Sequence, residues 1–241
     1  MIKGNAGVFL VVDTNDAVAK TRGVNGLIPA RANDLNQFTA TLVEKQDLAR
    51  MTGFNIFASQ GNMREALIVE SRAVVNRTID QDILAEMANA TNNTGAAQTA
   101  TLALVAQVRA LLGNNKVPIE ELENMFFVVS PRFESYLLQT PEYSNGFFVD
   151  VKPLIGPVRR MWRWAGFNWI MSQSLTGLGT ATELCYAYHR KAVGHAVDTG
   201  GVEAIAGYDE EQDYSFSRTK IFAGTKILQQ GGIIQVSHIG T

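Results

Sequence analysis

The chain has 241 residues, a formal charge of −2 and a pI near 5.9, which argues against a surface dedicated to coating nucleic acid or a polybasic membrane patch. Hydrophobic residues make up 46%, ample for a buried core, while charged residues reach only 18%, on the low side of the usual quarter, a pointer to an assembly that buries its faces. Cys185 stands alone, which excludes an internal disulfide and a thiolate metal cluster, and no apolar run reaches the length of a membrane span.

Val8 to Asp13 (VFLVVD) and Phe38 to Glu44 (FTATLVE) are rich in β-formers and bounded by turn residues, so two strands are expected there. The polar stretch between them carries Gly23, Asn25-Gly26 and Pro29 with the cations Lys20, Arg22 and Arg31. A two-stranded ribbon is marginal in water. If it projects it must lie on something, with a neighbouring subunit the simplest candidate; an enzyme lid is the alternative. Phe54 to Ser59 reads as a short strand or an extended link. Asn62 to Thr91 contains no Gly or Pro, and Ala66, Leu67, Val69, Ala73, Val74, Ile79, Ile83, Leu84 and Met87 recur at helical steps. At 1.5 Å per residue this helix would run roughly 40 Å, a strut for other elements.

After the break TNNTG, Gln98 to Leu112 predicts a helix closed by Gly113 and Asn114. Met125 to Val129 is an apolar strand of buried type, and Ser130-Pro131 opens a helix running to Thr140-Pro141. From Val158 the chain is strand-like, with Trp162, Trp164, Phe167 and Trp169 interleaved with Arg159, Arg160 and Arg163. That pattern suits a single-strand nucleic-acid platform, or a strand with one buried aromatic face. The absence of a second basic stretch favours the structural reading. Leu175 to Thr180 is a glycine-rich turn without a phosphate-binding signature. Glu183 to Val197 begins with alternation and then looks helical. An acidic run, Tyr208 to Asp213, precedes strands around Gly224 and Gly231-Gly232.

Catalytic chemistry finds no footing. His189 and His195 are six apart and cannot share a helix face as metal ligands four apart do, and His238 stands alone in a terminal strand. Cys185 near His189 has no orienting acid, and the pairs Asp80/Asp82 and Glu120/Glu121 read as solvated groups or helix-dipole partners. The expectation is a non-enzyme without catalytic residues, metal or cofactor.

Taken in order, the phrases RGVNGLIP, RTIDQDIL, FFVVSPRF, AYHRKAVGHA and GTKILQQGGIIQVS resemble the major capsid proteins of tailed bacteriophages over nearly the whole chain. The resemblance implies an α+β Hong Kong 97-type fold, with an extended β-hairpin loop, a long spine helix in a peripheral domain and a mixed α/β axial domain. It places the amino-terminal segment and extended loop at 1–46, the peripheral domain at 47–95, the axial domain at 96–201, the peripheral β-hairpin at 202–226 and the closing axial strand at 227–241. Pentamers and hexamers in an icosahedral shell around double-stranded DNA follow, assembled in the host cytoplasm. Portal, scaffolding or decoration proteins are possible partners, with DNA touched non-specifically and no membrane.

Ribbon-tip Lys20, Arg22 and Arg31 become candidates for inter-subunit contact. So do the basic group Arg159, Arg160 and Arg163, with Lys152, and the acidic group Asp209, Glu210, Glu211 and Asp213, as complementary patches. The ribbon begins within ten residues of Met1, ahead of which the family usually carries an arm, so arm contacts are not expected. No Lys–Asn crosslinking pair can be identified near the ribbon tip. The alternatives are an encapsulin-like compartment shell of the same fold, a small α/β enzyme with a long lid loop, and a single-strand nucleic-acid binder.

Overall fold

The computed structural model describes residues 2–13, 18–19, 21–26, 34–58, 62–144, 161–198 and 200–241. Strands β1 (Ile2–Lys3), β2 (Ala6–Asp13) and β3 (Asp34–Thr41) form an antiparallel sheet in which β2 and β3 pair from Ala6 opposite Thr41 to Asp13 opposite Asp34. This is the expected ribbon. Leu42 separates it from β4 (Val43–Thr52), which leads through α1 (Gly53–Ala58) into the long helix α2 (Met63–Met87). There follow α3 (Leu102–Asn114), β5 (Met125–Val129), α4 (Pro131–Leu137) and α5 (Pro141–Ser144). The second half is β6 (Met161–Trp164), β7 (Phe167–Met171), β8 (Glu183–His189), β9 (Val193–Val197), β10 (Glu203–Asp209), β11 (Tyr214–Ile227) and β12 (Ile233–His238).

Local chemistry explains the helix starts. Asn62 caps α2 by accepting the Glu65 N–H at 3.4 Å through Oδ1, while its side-chain Nδ2 donates to the Glu65 carboxylate at 2.9 Å. Thr101 accepts the Leu104 N–H at 3.4 Å, and Ser130 accepts the Phe133 N–H at 3.1 Å with Pro131 at the first helical position.

β11 organises one four-stranded antiparallel sheet. Ala223 pairs with Val43 of β4 on one side and Val197 of β9 on the other, and Tyr214 pairs with Thr52 and Asp209. Thus β10 and β9 lie end to end along the edge of β11 opposite β4. Helix α2 lies on this sheet, with Val75 and Ile79 against Ile221, Ala223 and Val197. A second sheet runs β12-β8-β5-β7-β6, antiparallel except for β5 with β7. It holds the main core. Phe127, Trp169 and Ile233 from its strands pack with Leu104, Val108 and Leu112 of α3 and Phe133 and Leu137 of α4, all essentially inaccessible.

The structure corrects several sequence expectations. Phe54 to Ser59 is not extended; its described part belongs to α1. β4 runs on to Thr52, far beyond Glu44: its charged residues have low strand propensity, but the ladder to β11 captures them. The segment after His189 is not helical. A 3₁₀ turn at Arg190–Ala192 reverses the chain, and β9 pairs with β11. α3 starts at Leu102, because Gln98 bridges to His238, and it continues through Gly113 and Asn114 to a cap at Asn115. α2 ends at Met87 instead of Thr91, and its apolar residues do not all face the sheet, for Val69 is 64% exposed.

Candidate subunit-contact surfaces

His238 is not alone. Its Nε2 lies 3.1 Å from Ser130 Oγ and 2.8 Å from Glu183 Oε2, with all three residues buried. A charge relay needs acid and hydroxyl on opposite ring nitrogens; here both address Nε2, while Nδ1 is 3.2 Å from the Ile239 carbonyl. Ser130 Oγ is also committed to the α4 cap, and Glu183 Oε1 accepts the Gly179 N–H at 2.6 Å. The cluster is a latch between α4, β8 and the carboxyl-terminal residues. Burial pushes the His238 pKa down, against the opposing pull of Glu183. Burial likewise pushes the Cys185 thiol up to about 12, which removes the thiolate a nucleophile needs.

His189 Nδ1 accepts the Lys191 N–H at 3.3 Å, so its ring proton belongs on Nε2, 3.6 Å from Glu121. Among the described residues no group of three His, Cys, Asp or Glu is placed to hold a metal ion, and no helix is long and apolar enough to cross a membrane.

The tryptophans belong to the core. Trp169 is fully buried, stacks on Phe127 at 4.6 Å and on Trp162 at 6.2 Å, and donates its indole N–H to the Trp164 carbonyl at 2.8 Å. Arg163 Nε donates to Asn168 Oδ1 at 2.9 Å, and its guanidinium lies 4.0 Å from Glu123. Asn168 in turn donates to the carbonyls of Leu122 and Met125. Arg163 is thus tied to its own sheet, although its side chain remains mostly exposed. Lys152, Arg159 and Arg160 lie outside the described residues.

The ribbon has two unlike faces. Phe9, Val11 and Phe38 share the face turned to the body, where the Phe9 ring closes to 3.0 Å on the space a Cβ at Gly194 would fill. Gly224 meets the ribbon root so closely that a Cβ there would sit 2.3 Å from the Thr41 carbonyl oxygen. The opposite face presents Leu10 at 73%, Val12 at 56% and Leu35 at 69% exposure, Val12 standing directly opposite Leu35. Such an apolar strip needs a cover. At the tip Arg22 Nε donates to the Gly26 carbonyl at 2.9 Å, whereas Lys20 and Arg31 lie outside the described residues.

The acidic candidates occupy the turn between β10 and β11. Asp209 accepts the N–H groups of Glu211 and Gln212 at 3.0 and 3.2 Å, and Tyr208 donates its hydroxyl to Asp213, whose φ is +48°. Glu210 and Glu211 are exposed. The sequence did not point to the groove between ribbon and body, about 1010 Å³, lined by Val11, Asn36 and Phe38 of the ribbon with the edge of Val12, and by Glu86, Asn115, Lys116, His189, Lys191 and Lys226 of the body among others. Within it Lys226 pairs with Glu86 at 3.2 Å. These residues come from segments far apart in the chain, so no local signal could have marked them.

The sequence model of the phage capsid protein family matches residues 3–239. A chain from Mycobacterium phage Che8 superposes with a TM-score of 0.73 at 16% identity, covering 97% of this chain and 85% of that one. The capsid structure of cyanophage P-SCSP1u gives 0.71 at 12% identity, covering 100% and 85%, and the capsid of a native GTA particle gives 0.72 at 11%, covering 99% and 86%. No curated protein matches.

Proposed function

The chain belongs to the phage capsid protein family, as a major capsid protein of Hong Kong 97-type fold whose place is the virion shell, and from that premise we propose how it builds the shell. Copies assemble into pentamers and hexamers that close an icosahedral head around double-stranded DNA. The role is structural and uses no catalytic step. Assembly takes place in the host cytoplasm, with portal, scaffolding or decoration proteins as further partners and DNA touched through non-specific contacts.

The exposed apolar strip of the ribbon is the observation that carries the contact scheme. Leu10, Val12 and Leu35 stand exposed on the face of the ribbon turned away from the body, an apolar strip that suits cover by another copy. Covering each on a neighbouring copy contributes about 1.5–3 kcal/mol, and a closed lattice sums many such contacts. Ribbon-tip Lys20, Arg22 and Arg31 dock on acidic surface of that neighbour. The acidic turn at Asp209, Glu210, Glu211 and Asp213 and the basic group of Arg159, Arg160 and Arg163 act as register-setting charges.

Residues 1–46 then serve as the amino-terminal segment and extended loop, and 47–95 with 202–226 as the peripheral domain. Residues 96–201 with 227–241 form the axial domain, although Val193–Val197 pairs into the sheet of the spine helix. Gel filtration with negative-stain electron microscopy tests the proposal. Hollow closed particles, or rings of five and six, are expected. A chain that remains monomeric at high concentration, alone and with its neighbouring gene products, refutes it.

A further inference from the structure

We infer that the outward side of the ribbon of one copy packs on the bare half of the β10-β11-β4 sheet of a second copy, Leu10, Val12 and Leu35 covering Leu48, Ile205 and Phe216. The inference rests on the shell reading above and names the surface of the neighbour that the reading leaves open.

One face of this sheet is covered and the other only in part. The odd-numbered residues of β11 from Ser215 to Ala223 are buried, and Ile221 and Ala223 lie against Val75 and Ile79 of α2. The even-numbered residues point the other way. At one end of that second face the chain's own ribbon is seated: Gly224 meets the Thr41 backbone, and Gly7 and Phe9 meet Ala196 and Gly194 of β9. At the other end Arg218 stands between Leu48 and Ile205, its neighbours across the ladders, which are 46% and 44% exposed. Phe216 lies half-buried beside them. The molecule therefore shows on itself how a ribbon lies on this face. Its own ribbon is fixed by the root at Gly224, with Leu10, Val12 and Leu35 turned outward, so that side cannot reach its own sheet. The contact has to be intermolecular and head-to-tail, the type that closes rings.

Charge selects the ribbon over a second sheet. On the bare face Lys220 is paired with Glu203 at 2.9 Å and Arg50 lies over the Tyr214 ring, whereas Arg218 has no ion pair among the described residues. Two such sheets laid face to face would set Arg218 toward Arg218, a like-charge juxtaposition. The ribbon's outward side brings Leu10, Val12, Leu35 and Gln37, all uncharged, and the exposed Gln37 offers its amide oxygen as a neutral acceptor for that guanidinium. Beyond the apolar patch the signs are complementary. The acidic turn begins at Asp209, roughly 13 Å along the strand from Ile205, and none of its carboxylates is in an ion pair among the described residues. Arg22 follows Val12 by ten residues, with Lys20 beside it in sequence, a length of chain that brings the cationic tip within reach of that turn.

Two experiments on the full-length chain decide it. Leu35→Cys combined with Ile205→Cys, treated with a short bismaleimide crosslinker and run on a denaturing gel, is expected to give a ladder of multimers; Cys185 is buried and does not compete. Dimers from Ile205→Cys alone would show sheet facing sheet and overturn the inference. Leu35→Lys, which brings a second cation to Arg218, is expected to lower particle yield at least about tenfold, and adding Ile205→Glu to restore it. Particles that form without a ladder, and with yield unchanged by Leu35→Lys, overturn the inference and leave the shell reading standing. If the unmodified chain yields no particles, the shell reading fails; crosslinking of the concentrated double-cysteine chain then decides the inference, multimers sustaining it and monomers overturning it.

Discussion

Replacing Trp169 by Ala separates a core tryptophan from a nucleic-acid platform. Trp169 is wholly buried, touches Phe127, Phe133, Trp162, Trp164 and Phe167, and satisfies the Trp164 carbonyl at 2.8 Å. Truncating a buried aromatic costs about 3–5 kcal/mol, and orphaning the carbonyl adds about 1–3 kcal/mol. The sum, about 4–8 kcal/mol, is a large part of the 5–15 kcal/mol that holds a typical domain together. Trp169→Phe keeps the stacking and loses the donor, so its expected cost is nearer about 1–3 kcal/mol. Urea unfolding followed by far-ultraviolet circular dichroism is the assay, because losing an indole disturbs fluorescence. The midpoint of Trp169→Ala is expected to fall by on the order of 1–3 M. A loss under about 1 kcal/mol, with reduced binding to single-stranded DNA, would refute the packing argument, since exposed platform residues typically change stability by no more than about 0.5 kcal/mol.

Three further outcomes follow from the geometry. Gly224→Ala places a methyl group 2.3 Å from the Thr41 backbone oxygen, so the ribbon root must shift. An expected loss of about 1–3 kcal/mol in thermal or urea unfolding checks this, and wild-type stability would contradict it. Leu10→Asp with Leu35→Asp alters only exposed side chains: monomer stability should change by about 0.5 kcal/mol or less while particle yield collapses, and particles at normal yield would exclude the strip as a contact. Burial holds the pKa of His195 and His238 below the ordinary 6.5 in the folded chain. The unfolded chain therefore binds more protons as pH falls from about 6.5, and stability declines through that window while remaining whole above it. His238→Gln should flatten the decline in unfolding free energy measured from about pH 7 to pH 5; a chain that gains stability on acidification contradicts the assignment.

Legibility in the sequence followed the range of the interactions. Met125 to Val129 and the Ser130-Pro131 start were readable because an apolar run and a cap are local. The start of α2 at Asn62 was readable for the same reason. β4 was not, because Glu44, Lys45, Gln46 and Asp47 carry no strand preference, and only the ladder to residues more than 150 positions away holds them extended. The Ala-rich segment after His189 looks helical, yet the valines and Gly194 of Val193–Val197 weaken that preference, and β11 captures the stretch as a strand. Ser130, Glu183 and His238 illustrate the same limit among side chains: each is unremarkable in its own neighbourhood, and the fold alone brings them within hydrogen-bonding distance. The acidic turn was visible as composition, and the groove was not, since its lysines come from three separate segments.

Among the described residues β4 has a strand neighbour on one side only, so its other side offers unpaired backbone groups at the margin of the sheet. A chain that must be crowded against many identical copies invites ladder formation there, which would yield fibres instead of closed particles. Glu44, Lys45, Gln46, Asp47 and Arg50 occupy that strand, and stacking it on an identical strand in register would set like charges directly opposite one another. The polar composition that hid β4 in the sequence thereby acts as a guard against amyloid-like association, and leaves side-chain docking as the route by which copies meet.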